Sequence, residues 1–411
     1  DGHSPDTDVN AIEFITIATE GNAIDFGDRT MVGRLPACAS NDTRCVMASA
    51  FTPQGYQNRI DFVTIASIGN ASDFGDLSTA RASMAMSCNS TTRGIFNGGY
   101  QPAPSTIRVN NMEYITFATT GNTQDFGDLT AAPQSSSGGT LSSGTRGLIG
   151  LAYVHPAITN SIDFCTIATT GNALDFGDTT AAKQSYGSCT NSIRGLIMGG
   201  QTPSYINNID TVIIATTGDA TDFGDMLYAN YTHGAASNSI RGIKGAGYGP
   251  NYTSRIEFLT LSSQGNSVYF GDLTSGGGSN KQAATSPTRF VIGGGYTQPT
   301  PFVNSLDFCQ IATTGDATDF GDLTISGYGG SSGSNATRGI FYNRYVSPAV
   351  NNTIEFITMT TLGNALDFGD ATGGAYGKTG SMTSYAISLT FGELQPIYAG
   401  DNVDDNDDMG F

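Results

Sequence analysis

The chain has no tryptophan, three histidines and 18 lysines and arginines among its 411 residues. Each shortage removes a class of function. His3, His155 and His233 are scattered, and none lies near a Cys-x-x-Cys, so the sequence assembles no zinc site. Phosphate binding is driven by lysine and arginine, so a net charge of -18 with no basic cluster excludes nucleic acid as a partner. No apolar run approaches the roughly 18 residues of a membrane span. Gly-x-Ser-x-Gly, His-Glu-x-x-His and phosphate-cradling loops are missing too, so no enzyme class and no cofactor is indicated. The chain starts at Asp1 without a methionine or an apolar leader, which leaves export undecided.

What is present is repetition. The stretch TTGDATDFGDLT at 313–324 has seven relatives, among them TEGNAIDFGDRT at 19, TTGNTQDFGDLT at 119 and TTGNALDFGDTT at 169. The phenylalanines of Phe-Gly-Asp are Phe26, Phe74, Phe126, Phe176, Phe223, Phe270, Phe320 and Phe368, at nearly even intervals. A period near 50 in a chain with 54 glycines and few helix formers points to β-propeller blades rather than to a helical solenoid. The array runs from 12 to about 392 as a single domain, between an N-terminal extension at 1–11 and an acidic tail at 393–411.

Most of the acids belong to the repeat. Eight stand in an Ile-Glu/Asp-Phe column, from Glu13 and Asp61 to Glu355. Seven precede the phenylalanine, with Tyr269 replacing the acid in one copy. Eight close the motif as Asp28, Asp76, Asp128, Asp178, Asp225, Asp272, Asp322 and Asp370. These 23 of 36 acids are assigned to the fold, and the tail AGDNVDDNDDMGF is read as a solvated end. A calcium loop needs oxygen ligands at alternate residues, whereas Asp316, Asp319 and Asp322 are three apart with Phe and Gly between them, so no metal is expected. The six cysteines repeat as well. Cys165 and Cys309 share one column and Cys88 and Cys189 another, which places the members of each pair in different units as small core residues. Cys38 and Cys45 could face each other across a hairpin, and their pairing stays open.

One unit reads as four strands. A Ser/Ala/Gly-rich piece such as ARASMAMSC forms the innermost strand. Next comes an apolar run opened by arginine, at Arg44, Arg93, Arg146, Arg194, Arg241, Arg289 and Arg338. After a Pro/Asn/Ser loop, NSIDFCTIATTG alternates as a third strand, and its Gly-Asn or Gly-Asp turn leads into DFGD as the fourth. Such a sheet cannot bury both faces alone, so units must stack, with the phenylalanine of Phe-Gly-Asp wedged between neighbours. The arginine column is expected to form partly buried ion pairs with the Phe-Gly-Asp carboxylates, because both recur in each unit.

The order of Arg, apolar run, Gly-Gly-Tyr (98–100 and 294–296), variable loop and IEFITIATEGNA (12–23) resembles the kelch repeat, with Phe where kelch has Trp. That resemblance implies a kelch-like β-propeller. The copper oxidase site that some kelch-like propellers carry needs clustered histidine and tyrosine ligands, and three scattered histidines cannot supply it. The wording TIATTGNALDFGDTT (166–180) is itself similar to repeats of structural proteins from marine tailed bacteriophages. It implies a virion component that contacts other virion proteins and copies of itself and is extracellular after release.

The chain begins just before an Ile-Glu-Phe strand and ends after a piece in register with the Arg strand, since Ala386 follows Asp370 at the same interval as Arg44 follows Asp28. Eight blades are therefore expected, the closing one shared between the two ends; a seven-bladed ring with the first strand pair detached is the alternative. Departures from the repeat mark candidate contact points, namely Tyr269, the loops at 100–111 and 153–161, and the tail, and the exposed aromatics Tyr100, Tyr248 and Tyr296 are further candidates. If the tyrosines gather on one rim, a host-receptor or carbohydrate-binding module that takes a host surface glycan becomes the competing reading.

Overall fold

The computed structural model describes residues 3–4, 7–8 and 10–371, apart from 34–35, 53, 82–84, 102–106, 134–139, 185, 191–192, 230–233, 238–239, 249–250, 280, 298–301, 329–330, 343–344 and 347–348. The described chain is all β and contains no helix. Seven antiparallel four-stranded sheets follow one another, sheet 1 spanning 37–76, sheet 2 85–128, sheet 3 140–178, sheet 4 187–225, sheet 5 234–272, sheet 6 282–322 and sheet 7 331–370. A two-stranded pair, Ala11–Phe14 with Ile24–Asp28, precedes them. Within the expected N-terminal extension, His3–Ser4 pairs with Thr7–Asp8. The tail expected at 393–411, and the two C-terminal strands expected before it, lie outside the described residues.

Sheet 2 shows the pattern. Its strands are Ala85–Asn89, Arg93–Asn97, Asn111–Thr116 and Gln124–Asp128, in spatial order of sequence. First strands of successive sheets approach one another, as Ala37–Ser40 does Ala85–Asn89 and Gln282–Thr285 does Ser331–Ser334. The small-residue strand is thus the one nearest its counterparts, because residues without bulk permit the closest approach.

The repeated motif builds the junction between sheets. In sheet 2, Met112 pairs with Gly127 and Glu113 with Asp125, so Phe126 is the extra residue of a β-bulge. The bulge turns its carbonyl away from its own sheet, where it accepts from Gly171 N at 2.7 Å in sheet 3; two residues on, Asp128 O accepts from Ala173 N at 2.8 Å. In return Asp128 N donates to Asn172 Oδ1 at 3.1 Å. Backbone groups of an outer edge strand that would otherwise face water are thereby paired, which also blunts the edge against stray strand addition. Gly127 is required here. At φ +139° it occupies a conformation other residues rarely adopt, and a Cβ on it would lie 2.5 Å from the Gly171 backbone.

This set of three bonds recurs from sheet to sheet. It also joins the N-terminal pair to sheet 1, through Gly69 N to Phe26 O, Ala71 N to Asp28 O and Asp28 N to Asn70 Oδ1. Sheet 7 and the N-terminal pair are joined likewise, through Gly21 N to Phe368 O, Ala23 N to Asp370 O and Asp370 N to Asn22 Oδ1. The pair is therefore bonded on both sides and is not detached.

Each bulged phenylalanine is 2–8% exposed and packs into the next sheet. Phe126 lies with Ile149, Leu151 and Cys165 of sheet 3, and Phe368 with Ile15, Ile17 and Ala23 of the N-terminal pair. Most meet a third-strand ring of their own sheet edge-on, as Phe164 meets Phe176 at 6.0 Å and 79°. Burial of one such side chain contributes about 1.5–3 kcal/mol, so the core is a series of inter-sheet wedges.

Candidate functional site

The arginine column does not do what its spacing suggested. Arg146 Nη1 donates to Ile214 O at 3.0 Å, Arg241 Nη1 to Ile311 O at 2.7 Å and Arg289 Nη1 to Met359 O at 2.7 Å. Arg44 reaches Phe117 O, Arg93 reaches Ile167 O and Ala168 O, Arg194 reaches Leu261 O and Arg338 reaches Ile17 O. Each of these acceptors is a backbone carbonyl just past the third strand of the following sheet, and Arg338 Nη2 adds an ion pair with exposed Glu20 at 3.4 Å. Each guanidinium also lies over a ring of its own sheet, at 4.7 Å for Arg44 on Phe62, 4.5 Å for Arg146 on Phe164 and 4.4 Å for Arg338 on Phe356. Arg194 faces Phe223 at 5.8 Å instead, because Thr211 stands where the other third strands carry a ring. The expected pairing with Phe-Gly-Asp carboxylates is thus corrected: those aspartates bond the next sheet through their backbone, and the guanidinium is a planar donor that bridges sheets while covering an aromatic face.

The buried ion pairs sit one column away. Asp61, Glu113, Asp163, Asp210, Glu257, Asp307 and Glu355 are 0–3% exposed. Strand alternation turns them from the Ile-Phe face, and the face they enter is closed by the connector from the preceding sheet. A hydroxyl two residues after Phe-Gly-Asp reaches six of them: Thr30, Ser78, Thr130, Thr180, Thr274 and Thr324.

The cation varies in both position and kind. Arg29 Nε lies 3.0 Å from Asp61, Arg81 Nη2 3.3 Å from Glu113 and Lys183 Nζ 2.8 Å from Asp210. Lys244 comes from the second strand of sheet 5 and stays 3.8 Å from Glu257. Lys281 donates to Gly294 O at 3.1 Å and feels Asp307 through space. Burial holds Lys244 and Lys281 down at about 8, opposed in each case by the acid. Asp163 accepts only from Thr130, through N at 2.8 Å and Oγ1 at 2.7 Å, and burial raises its carboxyl above the usual range.

These pairs were missed because the cations are scattered through the repeat: only Arg81 and Lys183 share a position, five residues after the motif aspartate, while Arg29, Lys244 and Lys281 each come from a different one, so no periodic signal marked the column. Among the described residues, no group of three or more His, Cys, Asp or Glu side chains is placed to hold a metal. Asp125, Asp175 and their equivalents cap the bulge, their carboxylates accepting from the motif glycine N at 3.1 and 3.0 Å. Tyr269 donates instead to Asp272 Oδ2 at 2.6 Å.

Cys38 and Cys45 are both thiols; Cys38 stands opposite Met47 and Cys45 opposite Ser40, two residues out of direct register. Cys88, Cys165 and Cys309 are buried core residues. Across columns, Cys88 of sheet 2 and Cys165 of sheet 3 meet in one junction beside Gly147, a contact between the two columns that the repeat alone did not suggest.

Tyr100, Tyr248 and Tyr296 lie in or beside the connection between second and third strands. Tyr248 packs on Tyr252 at 4.9 Å, Tyr252 on Tyr296 at 6.0 Å, and Tyr205 on Tyr248 at 6.3 Å. Phe302 and Tyr328 extend the group from Tyr296, stacked on each other at 5.4 Å and 11°. The structure thus gathers Tyr248 and Tyr296 into a half-exposed aromatic surface across sheets 4 to 6. Tyr100 is not part of it. Its ring faces Arg108 at 5.4 Å, and the same guanidinium covers Tyr153 at 5.9 Å.

No protein-family model matches the chain, and no curated protein sequence is similar to it. Among solved structures, the crystal structure of the computationally designed Ika8 protein superposes with a TM-score of 0.54 at 12% identity, covering 85% of this chain and 91% of that one. A likeness at that identity concerns the fold alone.

Proposed function

We propose that the repeat units close into one eight-bladed, kelch-like propeller, and that this disc is a non-enzymatic structural component of a bacteriophage particle, a decoration, tail or fibre-associated protein. The observation that carries the ring is the junction between sheet 7 and the N-terminal pair, made by the same three bonds as the junctions of consecutive sheets. The structural role is supported by how the reactive side chains are employed. The arginines tie sheets together, one acid column anchors connectors and the other two build bulges, so the residues that could do chemistry are taken up by assembly of the disc. Ser, Thr and Asn turns such as Ser90-Thr91-Thr92 leave a hydroxyl-rich surface suited to packing against other virion proteins and further copies.

Peptide counting by mass spectrometry on purified particles tests the proposal. Many copies per particle are expected, and a chain absent from purified particles overturns it. The aromatic surface around Tyr248 and Tyr296 favours a second reading, a module that stacks neutral sugars of a host glycan. A few copies at a tail or fibre tip, with glycan binding abolished by Tyr248→Ala, would favour that module instead.

A further inference from the structure

Between successive sheets, a first-strand side chain lies over the glycine that follows the arginine of the next sheet, beside the third-strand residue paired with that glycine. Ala39 covers Gly94 beside Ile115, Leu141 covers Gly195 beside Val212, and Ala284 covers Gly339 beside Ile357. Between sheets 2 and 3 the same three places hold Cys88, Gly147 and Cys165.

Gly147 makes the contact possible. A Cβ on it would lie 2.6 Å from Cys88 Sγ, 2.8 Å from Cys88 Cβ and 3.5 Å from Cys165 Sγ, so the missing side chain is what lets one thiol settle against the other. Elsewhere the two columns never match cysteine with cysteine. By register, the place in sheet 5 that corresponds to Cys88 is Ala236, ahead of Cys309 in sheet 6, and the place in sheet 5 that follows Cys189 of sheet 4 is Leu259.

We propose that Cys88 and Cys165 form a site of oxidative modification, joined as a disulfide between sheets 2 and 3 when hydrogen peroxide reaches the folded protein. The two sulfurs take different roles. Cys88 Sγ accepts from the Cys165 S–H and, at 3.8 Å, from Asn97 Nδ2. The first of these bonds holds the Cys88 thiol below its usual range against the burial that raises it, and donating leaves Cys165 above that range. Cys88 is therefore the sulfur that ionises first.

As a thiolate, Cys88 attacks one oxygen of the peroxide. The O–O bond breaks, hydroxide leaves and takes up the proton the thiol released, and Cys88 becomes a sulfenic acid. The Cys165 sulfur then displaces that oxygen: the S–O bond breaks, the S–S bond forms, and the oxygen departs as water with the Cys165 proton. Two thiols and one peroxide thus give one disulfide and two waters, the protein losing two electrons. Burial steers the second step. At 1% and 3% exposed, neither sulfur is open to a bulky reagent, whereas hydrogen peroxide is little larger than water, so the sulfenic acid meets Cys165 before any outside thiol. Neither the ring nor the virion reading enters here, so either can fail without this site failing.

Peptide mapping tests the proposal on the full chain, treated with hydrogen peroxide and then blocked with an alkylating reagent in denaturant. Tryptic peptides 82–93 and 147–183 should appear joined, two hydrogens lighter than their sum, with Cys309 recovered as a thiol. The closed loop should shift the unfolding equilibrium toward the folded chain by about a hundredfold or more, a gain that a reducing thiol removes. Cys165→Val, which supplies the residue that sheet 4 carries there as Val212, keeps the first step and stops the second, so a cyclic diketone should label Cys88 as its sulfenic acid. Cys88→Ala, after Ala39 and Ala284 in the same column, should leave Cys165 a thiol. Recovery of both cysteines as thiols from the treated parent chain overturns the proposal. So does Cys88 found as sulfinic acid without a link, or a link formed only between two copies and seen as a dimer on a non-reducing gel. The parent chain alone decides these outcomes, so a variant that fails to fold does not blunt the test.

Discussion

The outer junction and the inner anchor of each sheet are both repeated, but they are not repeated equally well. At the outer junction the bulged phenylalanine, the glycine and the backbone bonds scarcely change from sheet to sheet. At the inner anchor the acid is constant while its cation is Arg29, Arg81, Lys183 or Lys244, approaches from different connector or strand positions, and for Asp163 is replaced by Thr130 alone. The difference is one of reach. A backbone hydrogen bond of 2.7 Å closing against a glycine at φ +139° permits one geometry, so drift there is not tolerated. A long flexible cation can enter the same pocket from several starting points, so only the pocket and its acid stay fixed.

The largest effect is expected where geometry is fixed. Gly127→Ala would put a Cβ 2.5 Å from the Gly171 backbone in a strained conformation. Backbone strain and overpacking, each about 1–3 kcal/mol, should cost about 4 kcal/mol together, read as a loss in the chemical-denaturation midpoint. A change under about 1 kcal/mol would mean that the sheets are not held at this distance.

Next comes the best of the anchors. Lys183→Met leaves Asp210, 0% exposed, without its cation at 2.8 Å, a loss of roughly 3–5 kcal/mol. Replacing both partners, as Lys183→Met with Asp210→Asn, should recover most of it, because burying neither charge removes the desolvation cost as well as the attraction. If the double variant is as unstable as the single one, the pocket depends on more than charge balance.

Arg146→Ala is expected to lose less, about 1–2 kcal/mol, since a partly exposed guanidinium gives up one carbonyl bond and one ring contact rather than a buried pair. A loss of about 4 kcal/mol or more would restore the ion-pair assignment for this column.

These contrasts also explain what could be read from the residues. The four-stranded unit, its strand order, the wedged phenylalanine and the turn role of Gly-Asn were legible because each recurs once per unit. The motif's deeper purpose, a bulge that turns a carbonyl outward, was not, since DFGD reads equally well as a plain strand. The arginine column misled for the same reason that it was visible: recurrence beside recurring aspartates suggested pairing, while its true acceptors are carbonyls that carry no sequence signature. The buried cations were hidden because Arg29, Lys244 and Lys281 come from three different repeat positions and only Arg81 and Lys183 share one, too few to read as a column. Tyr248 and Tyr296 were named as exposed aromatics that could gather on one rim, yet Tyr252, Tyr205 and Phe302 complete their surface from places that only the folded loops bring together.

The smallest effect should be the most discriminating. Asp163 is a fully buried anchor whose hydrogen bonds come from Thr130, and burial raises its carboxyl above the ordinary aspartate value. Below that ordinary value, near 3.9, folded and unfolded chains both hold the proton and the site costs nothing. As pH rises, the unfolded chain releases its proton first, so stability contributed at this site falls until the folded carboxyl ionises too, and the deficit persists at neutral pH. Asp163→Asn fits the same pocket, its oxygen accepting from Thr130 N and its amide donating to Thr130 Oγ1. The variant should therefore melt slightly higher than the parent at pH 7, with the gain shrinking to nothing near pH 4. An opposite slope, with the parent gaining on the variant as pH rises, would show that the Thr130 pair more than offsets burial, and that a cation is dispensable at every anchor rather than at this one.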